Sequence, residues 1–373
     1  MSATLAKQEI SARMRGRKNA VTSPNMLLDA KRVLYTFLSE IGLVLNGAER
    51  EIFFSTAVDL LPFGSYNAEL CYADKKNEIA FILLDSGVID FAGNLSALYV
   101  QLRENKLRDT KPKLSKQEII DYIWSSGLIF FEKGLSGFSK RDAIFAPKLN
   151  FSEIDHHLVP IAFDFSMGQE LFLVLHEFGH FFSEKLGGFR NVIGEEEYQR
   201  IIREQLDLSK TMTMQLGIED NGWQSYFQRS GAEKIFEEQF ADIIAFGILE
   251  RFVKKMAASH NDIAKLRAGY ILNGVDLGLS CMRLMQHAFP LSYDKKLKFL
   301  QVRESFDHPL AGTRRDTYRN FVSEQLTKGL LSISRDFDEI FRPYEEAIRD
   351  GAMPSDRFHQ LWLRAKTLYD TGE

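Results

Sequence analysis

The stretch Leu171-Phe172-Leu173-Val174-Leu175-His176-Glu177-Phe178-Gly179-His180-Phe181-Phe182 decides how this chain is read. Ser166, with Gln169 three residues on, has the pattern of a capping box that would start a helix there, and Gly187-Gly188 would end it. At about 100° per residue, Leu171, Val174, Leu175, Phe178, Phe181 and Phe182 share one side, and His176 and His180 stand one above the other on the opposite side. Two imidazoles four residues apart can aim ring nitrogens at one point, as a tetrahedral zinc ion requires. Glu177, rotated off that direction, could take a proton from a metal-bound water and pass it to a leaving amine. The plainer alternative is three polar residues satisfied by hydrogen bonds inside a core helix. Desolvating two imidazoles and an acid in so apolar a segment is costly, however, unless an ion compensates. Gly179 adds a cost of about 1 kcal/mol relative to alanine, which asks for a reason such as a second backbone passing close by.

A catalytic zinc needs a third protein ligand and keeps a fourth position open for water. The segment from Phe236 to Leu249 is helical by period and puts Glu238, Ala241, Asp242 and Ala245 on one stripe. Acids one turn apart repel, so an intervening cation or imidazole explains the pair better than a solvated face does. Glu238 is the candidate third ligand. Asp242 is the candidate acceptor for the far ring nitrogen of a ligating histidine, fixing its tautomer. Small Ala241 and Ala245 would let the two helices pack closely.

His-Glu-x-x-His at 176–180 followed by Glu-x-x-Ala-Asp at 238–242 resembles the gluzincin zinc metallopeptidases. Two branches are similar. HtpX-like peptidases also carry a downstream His-Pro with Arg six residues after the His, matched here by His308, Pro309 and Arg314. ImmA/IrrE-like peptidases follow Glu-x-x-Ala with small and apolar residues, matched by Ile244, Ala245, Ile248 and Leu249, although Asp242 stands where that group usually has Asn. The HtpX-like resemblance implies that His308 and Arg314 lie close to the metal, gating the site or stabilising an oxyanion. An exposed turn for His308 and a helix-start ion pair for Arg314 are the other readings. HtpX itself is membrane-embedded, and this chain shows no contiguous apolar run of spanning length. No helix-turn-helix or sensor domain of the IrrE type is evident. The resemblance covers about residues 166 to 318, and the phage-exclusion peptidase Lit is a more distant comparison.

Working outward, a small antiparallel sheet is expected between residues 50 and 165, from the runs Ile52 to Val58, Glu69 to Ala73 and Glu78 to Leu84, with a turn at Asp74-Lys75-Lys76-Asn77. Ser23-Pro24 starts a helix that continues to about Leu45. Helical periodicity then dominates near 166–186, 194–207, 232–257, 262–289, 312–331, 335–350 and 355–369. The expected fold is α+β, mostly α, zincin-like, with a helical second half. Residues 1–22, which hold Lys7, Arg13, Arg15, Arg17 and Lys18 without an apolar run, read as a basic, frayed terminus. Residues 23–373 read as one metallopeptidase domain, an α+β lobe over 23–165 and a helical lobe over 166–373.

A net charge of −4 in a chain 45% hydrophobic and 26% charged gives no footing for a nucleic-acid binder. Cys71 and Cys281 lie far apart and outside any paired metal spacing, so both read as buried thiols. With no signal peptide and apolar runs no longer than Leu171 to Leu175 and Ile243 to Leu249, a cytoplasmic compartment without membrane contact is expected. Leu83-Leu84-Asp85-Ser86-Gly87 has the core of an aspartic peptidase but no second copy, so it reads as a turn at a strand end. His156 and His157, adjacent on a segment read as extended, would point to opposite faces and cannot easily share one ion. Residues 208–231 read as a long connection near the cleft, a lid or specificity loop.

The expected activity is zinc-dependent hydrolysis of a protein or peptide substrate. Zn2+ would be held by His176, His180 and Glu238, Glu177 would be the base, and Arg314, His308 or Tyr318 would steady the oxyanion. The alternative from another class is a non-catalytic binding or regulatory module with a structural zinc. Glu177 and the open fourth position argue against it.

Overall fold

The computed structural model describes residues 24–61, 68–74, 79–130, 154–188, 190–191, 194–200, 203, 232–259, 261–291, 311–322, 324–350 and 352. Pro24 opens α1 (Pro24–Gly42), as its fixed φ favours. The next segment, expected to lead into a strand, is instead α2 (Gly47–Ser55). A complete capping box starts it: Asn46 Oδ1 accepts from the Glu49 amide and Glu49 Oε2 accepts from the Asn46 amide, both at 2.9 Å. Glu49 also receives the two-pronged guanidinium of Arg251, at 2.8 and 2.9 Å.

Three strands follow: β1 (Ala57–Leu61), β2 (Ala68–Asp74) and β3 (Ile79–Asp85). Their order is β1-β3-β2, with β3 parallel to β1 and antiparallel to β2. The sheet is therefore mixed, where an all-antiparallel one was expected. Ile79-Ala80-Phe81-Ile82-Leu83-Leu84 is continuously apolar because a central strand is buried on both faces.

Asp85 then caps α3 (Ser86–Leu107), and α4 (Lys116–Phe130) follows. The Asp-Ser-Gly sequence is thus a strand-to-helix junction. His156 and His157 lie on a short 3-10 turn (His156–Leu158) rather than on an extended segment. The motif helix, α5, is Val159–Lys185. Ser166 and Gln169 do not cap it. They lie buried within it, Ser166 donating to Glu170 Oε1 at 2.8 Å and Gln169 to Ser96 Oγ at 2.9 Å. Pro160 in the first turn marks the actual start. The remaining elements are α6 (Ala232–Ala257), α7 (Asp262–Leu291), α8 (Ala311–Phe321) and α9 (Glu324–Arg349). Helix α8 ends at Phe321 and α9 is already helical from Glu324, whereas the break between them was expected near 332.

Helix α5 runs through the middle, with α3, α6 and α7 packed around it and β2 alongside. Its meeting with α7 is backbone against backbone. A Cβ on Gly168 would lie 1.9 Å from the Ile271 oxygen, and one on Gly274 would lie 2.0 Å from the Phe165 oxygen. By length and composition the segment His156–Lys185 could cross a membrane, but 72% of its most apolar window is buried inside the protein, as in a core helix. Cys71 and Cys281 are buried free thiols, and burial pushes Cys281 up to about 12.

Candidate metal centre

Helix α5 supplies His176, Glu177 and His180, and α6 supplies Glu238 and Asp242. Gly179 brings the two helices together. A Cβ there would lie 2.8 Å from both the Cα and the oxygen of Ala241, the close backbone approach that a mid-helix glycine suggested.

The three expected ligands converge. His176 Nε2 lies 3.0 Å from Glu238 Oε2 and 3.2 Å from His180 Nε2, and His180 Nε2 lies 3.5 Å from Glu238 Oε1. Ligand atoms bound tetrahedrally at about 2.0–2.1 Å would lie about 3.3 Å apart, so the donor set fits an ion of zinc's size. Among the described residues these three form the only group of His, Cys, Asp and Glu that could hold a metal.

The tautomer strengthens this fit. His176 Nδ1 faces Asp242 Oδ1 at 2.9 Å. With Nδ1 donating there, Nε2 faces a carboxylate and the second imidazole, a position that either a proton or a metal cation fills. The acids' demand for positive charge shows in the His176 imidazole. Burial pushes it down, but its hydrogen bonds to Asp242 and Glu238 outweigh burial and raise it to about 9.

Behind Asp242 stands Arg314, whose Nε and Nη2 donate to Oδ2 and Oδ1 at 2.7 and 2.6 Å. Burial would raise the Asp242 carboxyl, but Arg314 and His176 hold it below the usual carboxylate range. The Arg314 guanidinium also stacks over Phe172, 5.6 Å from the ring centre, and that ring lies 6.1 Å from His176. Arg314 therefore meets the site through Asp242, on the Nδ1 side of His176, and its charge is felt by the Glu238 and Glu177 carboxylates. Tyr318 does not face the site. Its hydroxyl donates to the Leu272 carbonyl at 2.8 Å and its ring packs on Phe246, both fully within the core. His308 lies outside the described residues, as do Pro309, residues 208–231, the basic terminus 1–22 and the expected helix 355–369.

Glu177 is half-buried, and its Oε2 accepts the Leu70 backbone N–H at 2.8 Å. Two residues on, the Tyr72 hydroxyl donates to Glu184 and its ring lies 6.2 Å from Phe181, so β2 runs along α5 beside the acid. Sequence reading could not find Leu70, because a backbone amide carries no residue-type signal.

No family model, no curated protein and no solved structure matches this chain.

Proposed function

We propose that this protein is a zinc-dependent endopeptidase of zincin-like architecture. The observation that carries the reading is the convergence of the His176 and His180 Nε2 atoms and the Glu238 carboxylate, with contacts of 3.0–3.5 Å, beside an acid that holds none of them. The resemblance of the same two helical motifs to gluzincins points the same way. A bound zinc ion would polarise the scissile carbonyl and acidify its water.

The chain's own residues carry the remaining roles. Glu177 takes the proton of the attacking water as the oxygen–carbon bond forms, then delivers it to the amine nitrogen as the carbon–nitrogen bond breaks. Asp242, itself fixed by Arg314, fixes the His176 ring and tautomer. Edge strand β2 offers main-chain groups for an extended peptide laid beside Glu177. A protein or peptide is accordingly the proposed substrate, in a reducing cytoplasmic compartment that suits two free thiols. The reading assigns no role to nucleic acid or membrane.

Elemental analysis tests the premise. About one zinc per chain is expected, lost in His176→Ala and in Glu238→Ala; no metal after zinc is resupplied overturns the proposal. Glu177→Gln should keep the zinc while cleavage of a mixed peptide library falls by about two to four orders of magnitude. A wild type that binds zinc and cuts nothing would instead favour the non-catalytic module.

A further inference from the structure

A cavity lies along the face of α5 that carries His176, beginning one helical turn before it, and no part of the mechanism above uses it. Ala68, Ala92, Phe172, Leu173, Leu279 and Met282 are among its walls, contributed by β2, α3, α5 and α7, and the surface is almost wholly carbon. Its one amide, Gln169, is engaged elsewhere through Nε2, which donates to Ser96 Oγ at 2.9 Å and to the Phe165 carbonyl at 3.4 Å.

Two elements run from the cavity to the site. Phe172 lines it and its ring lies 6.1 Å from that of His176, and Leu173 precedes Glu177 by one helical turn. Ala68 lines it too, on the same side of β2 as Leu70, whose amide reaches Glu177. A peptide extended beside β2 with its carbonyl at Glu177 therefore carries a side chain over the opening.

Size narrows the occupant. Water centres fit over about 70 Å³ of the interior. At about 10–15 Å³ of such volume per molecule that is roughly five waters, whose share of liquid is on the order of 150 Å³, the bulk of one large side chain. Carbon walls hold such waters poorly, so an apolar group that displaces them gains affinity, and a charged one loses its hydration without compensation.

We infer that this cavity is a specificity pocket selecting a substrate with a large apolar side chain, aromatic or long aliphatic, beside the scissile bond. The inference rests on the peptidase reading. Ala92 and Met282 set the depth of the pocket, and neither belongs to the metal centre.

The test uses the zinc-loaded full chain and a randomised peptide library, with cleavage products sequenced. At one position relative to the cut, Phe, Trp, Leu or Met should be enriched over Ala, Asp and Lys by about tenfold or more. Ala92→Leu, which fills the pocket, should shift that preference toward Ala and Val by a similar factor with zinc content unchanged. Met282→Ala, which enlarges the pocket, should shift it toward Trp, and it decides the matter if the leucine variant does not fold. Cleavage without enrichment, or enrichment that neither variant moves, overturns the inference and leaves the peptidase reading intact. Zinc binding without any cleavage overturns the peptidase reading and takes the pocket assignment with it.

Discussion

Helix α5 carries two clusters of buried polar residues less than two turns apart, and they are built on opposite principles. In the first, Asp164, Ser166, Gln169 and Glu170 each have a partner that satisfies them. Arg267 grips Asp164 at 3.1–3.2 Å, Ser166 donates to Glu170, and Gln169 bonds Ser96. In the second, the Nε2 atoms of His176 and His180 and the Glu238 carboxylate converge on one point. In the first cluster each residue is paired with a neighbour of complementary chemistry. The second gathers three groups that could hold a metal ion. The comparison separates a core helix that tolerates polarity from one that uses it.

The sharpest way to break the contrast is at Arg314. Arg314→Ala leaves the Asp242 carboxylate buried at 2% exposure without its guanidinium. A loss of about 3–5 kcal/mol in chemical denaturation is expected, with zinc affinity down about 10–100-fold in a competitive chelator titration. Arg314→Lys should recover only part, because an ammonium cannot donate in the same fork.

Glu170 gives the next largest effect. Burial raises its carboxyl to about 7, above the ordinary 4.5, although the Ser166 hydrogen bond opposes the shift. Between those values the folded chain holds a proton that the unfolded chain has released, so stability falls as pH rises from about 4.5 through 7 and is flat above that. The loss should amount to about 3 kcal/mol. Glu170→Gln should abolish it, so that denaturation midpoints of the variant no longer decline across this window. A wild type equally stable at pH 5 and pH 8 would remove Glu170 as a buried neutral acid, since the two values span most of the window between 4.5 and 7.

Gly179→Ala places a methyl 2.8 Å from the Ala241 backbone. Overpacking of about 1–3 kcal/mol should follow, and zinc affinity should fall as well because α5 and α6 are pushed apart where they hold the ligands. A variant with unchanged zinc binding would show that the helix spacing does not set the site. The smallest effect belongs to the Gln169–Ser96 pair of the first cluster. Gln169→Leu combined with Ser96→Ala removes both partners together, and the change should stay within about 1 kcal/mol with zinc content untouched.

Much of the second cluster was legible in the sequence, because spacing on a helix translates directly into a face. His176, His180 and Glu238 converge, Asp242 takes the far nitrogen of His176, and Gly179 meets Ala241, all as their positions suggested. The extent of α5 was not legible. Ser166 and Gln169 imitate a helix cap when their neighbours are unknown, and only the fold supplies Glu170 and Ser96 as partners. Helix α3 was not singled out although Val88, Phe91, Ala92, Leu95, Leu98, Tyr99 and Leu102 form an apolar stripe at helical spacing; Asn94, Ser96, Ala97, Val100 and Gln101, buried on its other sides, carry polar or small side chains whose burial only the fold reveals. The direction of β1 relative to β3 depends on which strands become neighbours, and alternation within one strand carries no such information. Arg314 was found by its offset from His308, but its bond to Asp242 depends on where α8 docks.

The reciprocal glycine contacts between α5 and α7 bear on how the cleft can work. With Gly168 against the Ile271 carbonyl and Gly274 against the Phe165 carbonyl, neither helix can slide or roll without driving backbone into backbone. Helix α5 is in effect a fixed jaw bolted to its neighbour. The opposing jaw is β2, which meets α5 through the links at Glu177 and Glu184. In the peptidase reading proposed above, admission of a substrate falls to the strand, and an entering peptide would compete with Leu70 for Glu177.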